Sequence, residues 1–111
     1  MTAPEGTFIA RVLDGGIQLP PAIHGYCGAA GWTLFRFVVV DRNHLVMRPV
    51  VAEDAAGEFH ASLGGDGRLW IPAELRASVG LGEQSVMLRV EDGAIGVYLR
   101  KVFDTLGFRP G

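Results

Sequence analysis

The segment GDGRLWIPAELRASVGLG, residues 65 to 82, sets two arginines where a side chain can do chemistry: Arg68 beside a glycine turn and Arg76 on a short helix. A guanidinium beside such a turn projects from a sheet, and its planar fork can grip a phosphate or a guanine edge with two hydrogen bonds. Each arginine also has a plainer use. Arg68 can stay in solvent and pair with Asp66 or Glu74, while Arg76 can bond carbonyls or acids inside the fold. Between them, Trp70 alternates with Leu69 and Ile71, so an exposed indole beside Arg68 is expected; it either anchors a partner or subunit, or covers a neighbouring helix. His24 and Cys27 are three apart on an expected helix, but two ligands without a second pair do not make a metal site. No Ser-His-Asp set, carboxylate pair or phosphate loop is present, and GGDG and DGG read as turns. The chain is therefore expected to be no enzyme, with no cofactor, no metal and no small-molecule substrate.

The elements that position these residues follow from local grammar. Gly65 and Gly67 flank Asp66 in a tight turn needing positive φ, and Leu69 and Ile71 mark a half-buried strand. Pro72 cannot continue that ladder and is preset for the first position of a helix, with Glu74 in the first turn and Gly80 closing it in a left-handed cap. Leu75 and Val79 share one face. An isolated helix of under roughly 12 residues is marginal in water, so that face must be buried against strands.

The same plan occurs twice, at an offset near 52 residues. Gly15 matches Gly67, Ile17 matches Leu69, Leu19 matches Ile71, Pro20 matches Pro72, Ile23 matches Leu75, Gly28 matches Gly80 and Arg48 matches Arg100. Each copy reads strand, glycine turn, short strand, short helix, long strand, turn, strand. The long strands are expected over Trp32 to Val40 and Ser85 to Val90, the hairpin turns at 41 to 43 and 91 to 94, and the leading strands over Thr7 to Leu13 and Glu58 to Leu63. The run through Phe35, Phe37 and Val39, apolar on both faces apart from Arg36, reads as a central strand or one at a subunit interface. Repeat one covers 7–49, an acidic linker 50–58, repeat two 59–101, and a tail 102–111. One copy is too small to bury a core alone, so the two are expected to fold together as a pseudo-twofold barrel with interleaved hairpins.

Of 111 residues, 49% are apolar and 20% charged, which suits a well-filled core with an oligomer interface besides. The single cysteine and the lack of a leader or long apolar run lead us to expect a cytoplasmic protein without a membrane segment.

The second copy resembles the DNA-binding swapped-hairpin domain of the AbrB, SpoVT and MazE superfamily. The pattern is Gly-Arg, two residues, Ile-Pro, a short helix with Leu-Arg, then Leu-Gly and a β-hairpin, here Gly67-Arg68, Ile71-Pro72, Leu75-Arg76 and Leu81-Gly82. The first copy is a degenerate version, recognisable through Gly16, Leu19, Pro20, Ile23 and Gly28, and the fusion of two copies is similar to MraZ-like relatives. The resemblance implies a mostly β, swapped-hairpin (AbrB-like) barrel built from two tandem ββαββ repeats. It also implies a DNA-binding transcription regulator, with Arg68 and Arg76 on DNA. To these we add Arg11 and Arg42 as candidate DNA contacts. Ala61 and Ala77 stand where well-known members carry further basic residues, and the first copy has Gly16 and His24 in place of Arg68 and Arg76.

Charge bears on that expectation. The net charge is −2, with four arginines against two aspartates in repeat one and five bases against five acids in repeat two. Two or three phosphate contacts per chain hold DNA weakly, so a homo-oligomer is expected to supply the affinity. The alternative is a barrel that has lost DNA binding and serves as an oligomerisation or protein-interaction module, with Trp70, Phe103 and Phe108 as contacts. The tail is too short to wrap a toxin, and its apolar residues are expected to dock on the barrel or on a neighbouring subunit.

Overall fold

The computed structural model describes residues 2–51 and 59–99. The elements run β1 (Phe8–Leu13), β2 (Gly16–Gln18), α1 (Pro21–Ala30), β3 (Leu34–Asp41), β4 (His44–Pro49), β5 (His60–Ser62), β6 (Arg68–Trp70), α2 (Ala73–Val79), β7 (Ser85–Glu91) and β8 (Ala94–Tyr98). The chain is mostly β, as expected. All strand pairs are antiparallel, in the order β5-β3-β4-β8-β7-β1-β2-β6. The two ends of that order meet, because Leu63 bridges Leu69 and the Gly64 N–H donates to the Arg68 carbonyl at 2.8 Å. The result is a nearly closed barrel-like sheet, which removes most of the unpaired edge that a flat sheet would expose.

Alternation decides which side chains enter the barrel. Phe35, Leu45, Met47, Leu69, Leu88 and Ile95 are fully buried or nearly so, while their strand neighbours Arg36, Val46, Arg48, Arg68 and Arg89 point outward. The helices add their apolar stripes. Ile23 and Cys27, four apart on α1, and Leu75 on α2 are fully buried, and Val79 packs on the edge of the same core. At 25 cal/mol per Å² or so, each such aliphatic side chain contributes about 1.5 to 3 kcal/mol, which is what holds a seven-residue helix that propensity alone would not.

Several boundaries differ from the sequence reading for identifiable reasons. Pro72 lies just outside α2 with φ −53° and ψ 136°, an extended ψ, so the helix begins at Ala73; Gly80 does close it, at φ 67°. In the first copy Pro20 holds the same cap position and the helix runs ten residues. The strand expected from Trp32 starts at Leu34, because the Trp32 N–H bonds back to the Cys27 carbonyl at 2.9 Å and so finishes α1. β5 is only three residues long, with Leu63 pairing through an isolated bridge. That shortness matters for β3. Phe35 and Phe37 are core, but Val39 and Val40, past the reach of β5, are 47% and 54% exposed. The turns at 42–43 and 92–93 fall where expected, and Asp92 and Gly93 both take positive φ.

Among the described residues, no helix is long and apolar enough to cross a membrane. No group of three or more His, Cys, Asp or Glu side chains comes together there either. Cys27 faces the core, and burial pushes its thiol up to about 11, so it is held as a neutral thiol rather than a thiolate.

Candidate nucleic-acid interface

β1, β2 and β6 lie side by side, and their registers place Leu13 opposite Gly16 and Gly16 opposite Trp70. These three positions form one outward-facing row. Trp70 is 55% exposed, as its alternation predicts, and Leu13 and Ile9 on β1 are exposed on the same side. Arg11 stands between Ile9 and Leu13 and is exposed too.

Arg68 is more constrained than a turn arginine need be. Its backbone N–H donates to the Asp66 Oδ1 at 3.0 Å, which ties the turn. Its guanidinium lies 4.5 Å from the Trp70 ring centroid, and its Nη2 donates to the Leu13 carbonyl at 2.5 Å. The Nε is buried against Gly16 without a hydrogen-bond partner. Gly16 is what admits this arrangement, since a Cβ there would stand 2.9 Å from that Nε and 3.2 Å from the Trp70 Cε3. The pairing of Arg68 with an acid is thus met only through its main chain.

Arg76 reaches the same turn from the other side. Its Nε donates to the Ile71 carbonyl at 3.1 Å, and its Cζ lies 2.9 Å from where a Gly15 Cβ would be. Gly15 has φ 83°, and its carbonyl accepts the Ile71 N–H at 2.8 Å. This is the carbonyl-bonded, half-buried use of Arg76. The 13–16 turn is therefore clasped by both arginines, with Arg11 behind it on β1 and Asp14 as its own acid.

An equivalent turn lies at residues 64 to 67, with an imidazole and an amide in place of the two guanidinium groups. Gly67, at φ 84°, has the His24 Nδ1 2.9 Å from its Cβ position, and the Gln18 Nε2 donates to the Asp66 carbonyl at 2.7 Å. The Leu19 N–H donates to the Gly67 carbonyl at 2.9 Å, just as Ile71 does to Gly15. Sequence reasoning missed His24 and Gln18 in this role. The match of Gly15 to Gly67 and of Arg76 to His24 was the signal; what it lacked was that each helix residue serves the turn of the other copy.

Arg42 lies exposed in the β3–β4 turn, where the Asn43 N–H donates to the Asp41 Oδ1 at 2.7 Å. His44, Tyr98, Met87 and Ile9 form a row across β4, β8, β7 and β1. Arg42 and Arg11 are each two residues from that row, both toward the end where β7 starts. Phe103 and Phe108 lie outside the described residues.

A second polar group sits on the outer face of β4, β8 and β7. The Tyr98 ring stacks on His44 at 4.2 Å between centroids, and its hydroxyl donates to Glu91 across Gly96. Burial first, then that hydrogen bond and the carboxylate charge, push the Tyr98 phenol up to about 12. The shallow concavity beside it, lined by His44, Arg48, Glu91 and Asp92, mixes both signs of charge and selects no ligand class.

No known protein-family model matches the chain, and no curated protein matches it. Among the described residues, the β1, β2 and β6 side of the barrel brings together Arg11, Arg68, Arg76 and the exposed indole of Trp70.

Proposed function

We propose that the chain is a DNA-binding transcription regulator of the AbrB-like type, a pseudo-twofold swapped-hairpin barrel of two tandem ββαββ repeats. It works in the cytoplasm as a homo-oligomer. The strand pairing supports this architecture: β1 borders β7, β3 borders β5, β2 borders β6 and β4 borders β8, so each strand of one copy lies beside one of the other. The observation that carries the function is the asymmetry of the two equivalent turns. Arg68 and Arg76 clasp residues 13 to 16, with Arg11 two residues before them on β1, where Gln18 and His24 serve at 64 to 67. In this reading Arg76 and Arg68 hold the rim, the free N–H groups of Arg68 face the nucleic acid, and Arg11 and Arg42 meet phosphates.

The test is a titration of labelled genomic duplex fragments at low salt, roughly 50 mM. Binding by the wild type that falls severalfold in Arg11→Ala and Arg68→Ala supports the reading. No binding, or binding indifferent to both, ends it. A second reading, an oligomerisation or protein-interaction module, is favoured by the exposure of Trp70 beside Leu13 and Ile9. Under it the protein self-associates in sedimentation, Trp70→Ala abolishes association, and duplex DNA does not bind.

A further inference from the structure

We infer that Trp70 is a stacking platform for an unpaired base, so that the arginine-rich edge takes single-stranded DNA; this rests on the DNA-binding reading above. An indole this exposed on a sheet normally finds cover from cross-strand neighbours. Here the neighbour is Gly16, which offers no side chain, and the Cε3 side of the ring lies against the main chain of β2. Arg68 braces the ring from its own strand, its guanidinium 4.5 Å from the centroid and tied to Leu13. The ring is therefore fixed in place while 55% of the residue stays in solvent. A rigid aromatic surface loses little entropy when a base stacks on it, and every base has a face to offer.

The charges around the ring select the partner. Arg11 lies two residues from Leu13 on the outward side of β1, and Arg68 lies beside the ring, while Asp14 is the acid of that turn. Asp66, bonded to the Arg68 main chain, is a second acid there, and with Arg76 over Gly15 three arginines stand against two aspartates. A second copy docking here about a twofold axis would bring arginine toward arginine, whereas a strand of nucleic acid brings phosphates. An exposed indole stacks face to face only on a base that has left its helix, which favours single strand over duplex.

The experiment is a fluorescence titration of the whole chain with oligo(dT) about 12 nucleotides long and with a duplex of the same length. Trp32 is removed as a second emitter by Trp32→Phe, away from the edge and packed on Tyr26 and Phe35. We expect oligo(dT) to quench the remaining emission. With the oligonucleotides end-labelled and read by anisotropy, we also expect Trp70→Leu to lower the ratio of single-strand to duplex affinity about tenfold, and Trp70→Phe, which keeps a ring, to hold it within about threefold. The proposal is overturned if oligo(dT) binds without quenching, or if Trp70→Leu leaves the ratio unchanged. It is equally overturned if quenching tracks protein self-association in sedimentation. Duplex binding without single-strand binding sinks this inference and spares the function; failure of both to bind sinks the two together.

Discussion

The guanidinium of Arg76 lies over Gly15, a residue 61 positions earlier in the chain, with its Cζ 2.9 Å from the place a Cβ would occupy. That contact joins the helix of the second copy to the first hairpin turn of the other. His24 over Gly67 repeats it in reverse.

Alanine at either glycine must therefore meet two costs, a left-handed φ and a collision. Gly93 has φ 70° with nothing within 4 Å of its Cβ position, and supplies the control. Gly93→Ala should cost about 1 kcal/mol, Gly67→Ala about 2 to 4 kcal/mol because the His24 ring must move, and Gly15→Ala about 1 kcal/mol more than the control, because the displaced end of Arg76 forfeits its bond to Ile71. Urea midpoints at unchanged slope measure this. Equal costs at all three positions would mean that the clasp contributes nothing.

Neither half of the chain should fold alone. Residues 2–51 hold β1 to β4, whose partners β5 to β8 all lie in the other half, so four strand borders are lost on cutting. Circular dichroism and size exclusion on that fragment should show no cooperative melt; a compact, cooperatively melting particle would contradict the interleaving.

Tyr98 gives a pH signature. Its phenol is raised from 10.0 to about 12 in the fold, so its stabilising contribution is fully present below pH 10 and is lost as pH rises through 12. Tyr98→Phe should be about 1 kcal/mol less stable than wild type below pH 10, from the lost bond to Glu91, and the gap should close and then reverse between pH 10 and 12, because the rise of the phenol from 10.0 to about 12 outweighs that bond. Cys27 contributes to both proteins alike. Chemical denaturation across that range reads the difference, and a gap that persists above pH 12 would contradict the assignment.

Much of this was legible in the sequence because it is local. The period-two pattern around Leu69 and Ile71 fixed which way Trp70 points, and Asp92-Gly93 named its own turn. The proline before each helix and the glycine after α2 were also readable, although Pro72 proved to be the residue outside the helix. What was not legible depended on which strands become neighbours. Gly16 looks like a lost arginine in an alignment of the copies; only beside Trp70 and Arg68 does it become the gap that admits both side chains. Likewise Val39 and Val40 continue the pattern of a central strand, yet they are exposed, and the described pairing of β3 with β5 stops at Arg36 opposite His60, a register that no signal in β3 itself could carry.

Whether the arginines meet phosphates is read from the salt dependence of duplex affinity for the wild type and for Arg11→Gln, measured by fluorescence anisotropy. Each phosphate neutralised adds about 0.9 to the slope of log affinity against log salt. Phosphate contact by these arginines gives a slope of about −2 to −3 for each chain engaged, made shallower by about 0.9 in Arg11→Gln. A slope near zero, or one that Arg11→Gln leaves unchanged together with the affinity, would contradict it.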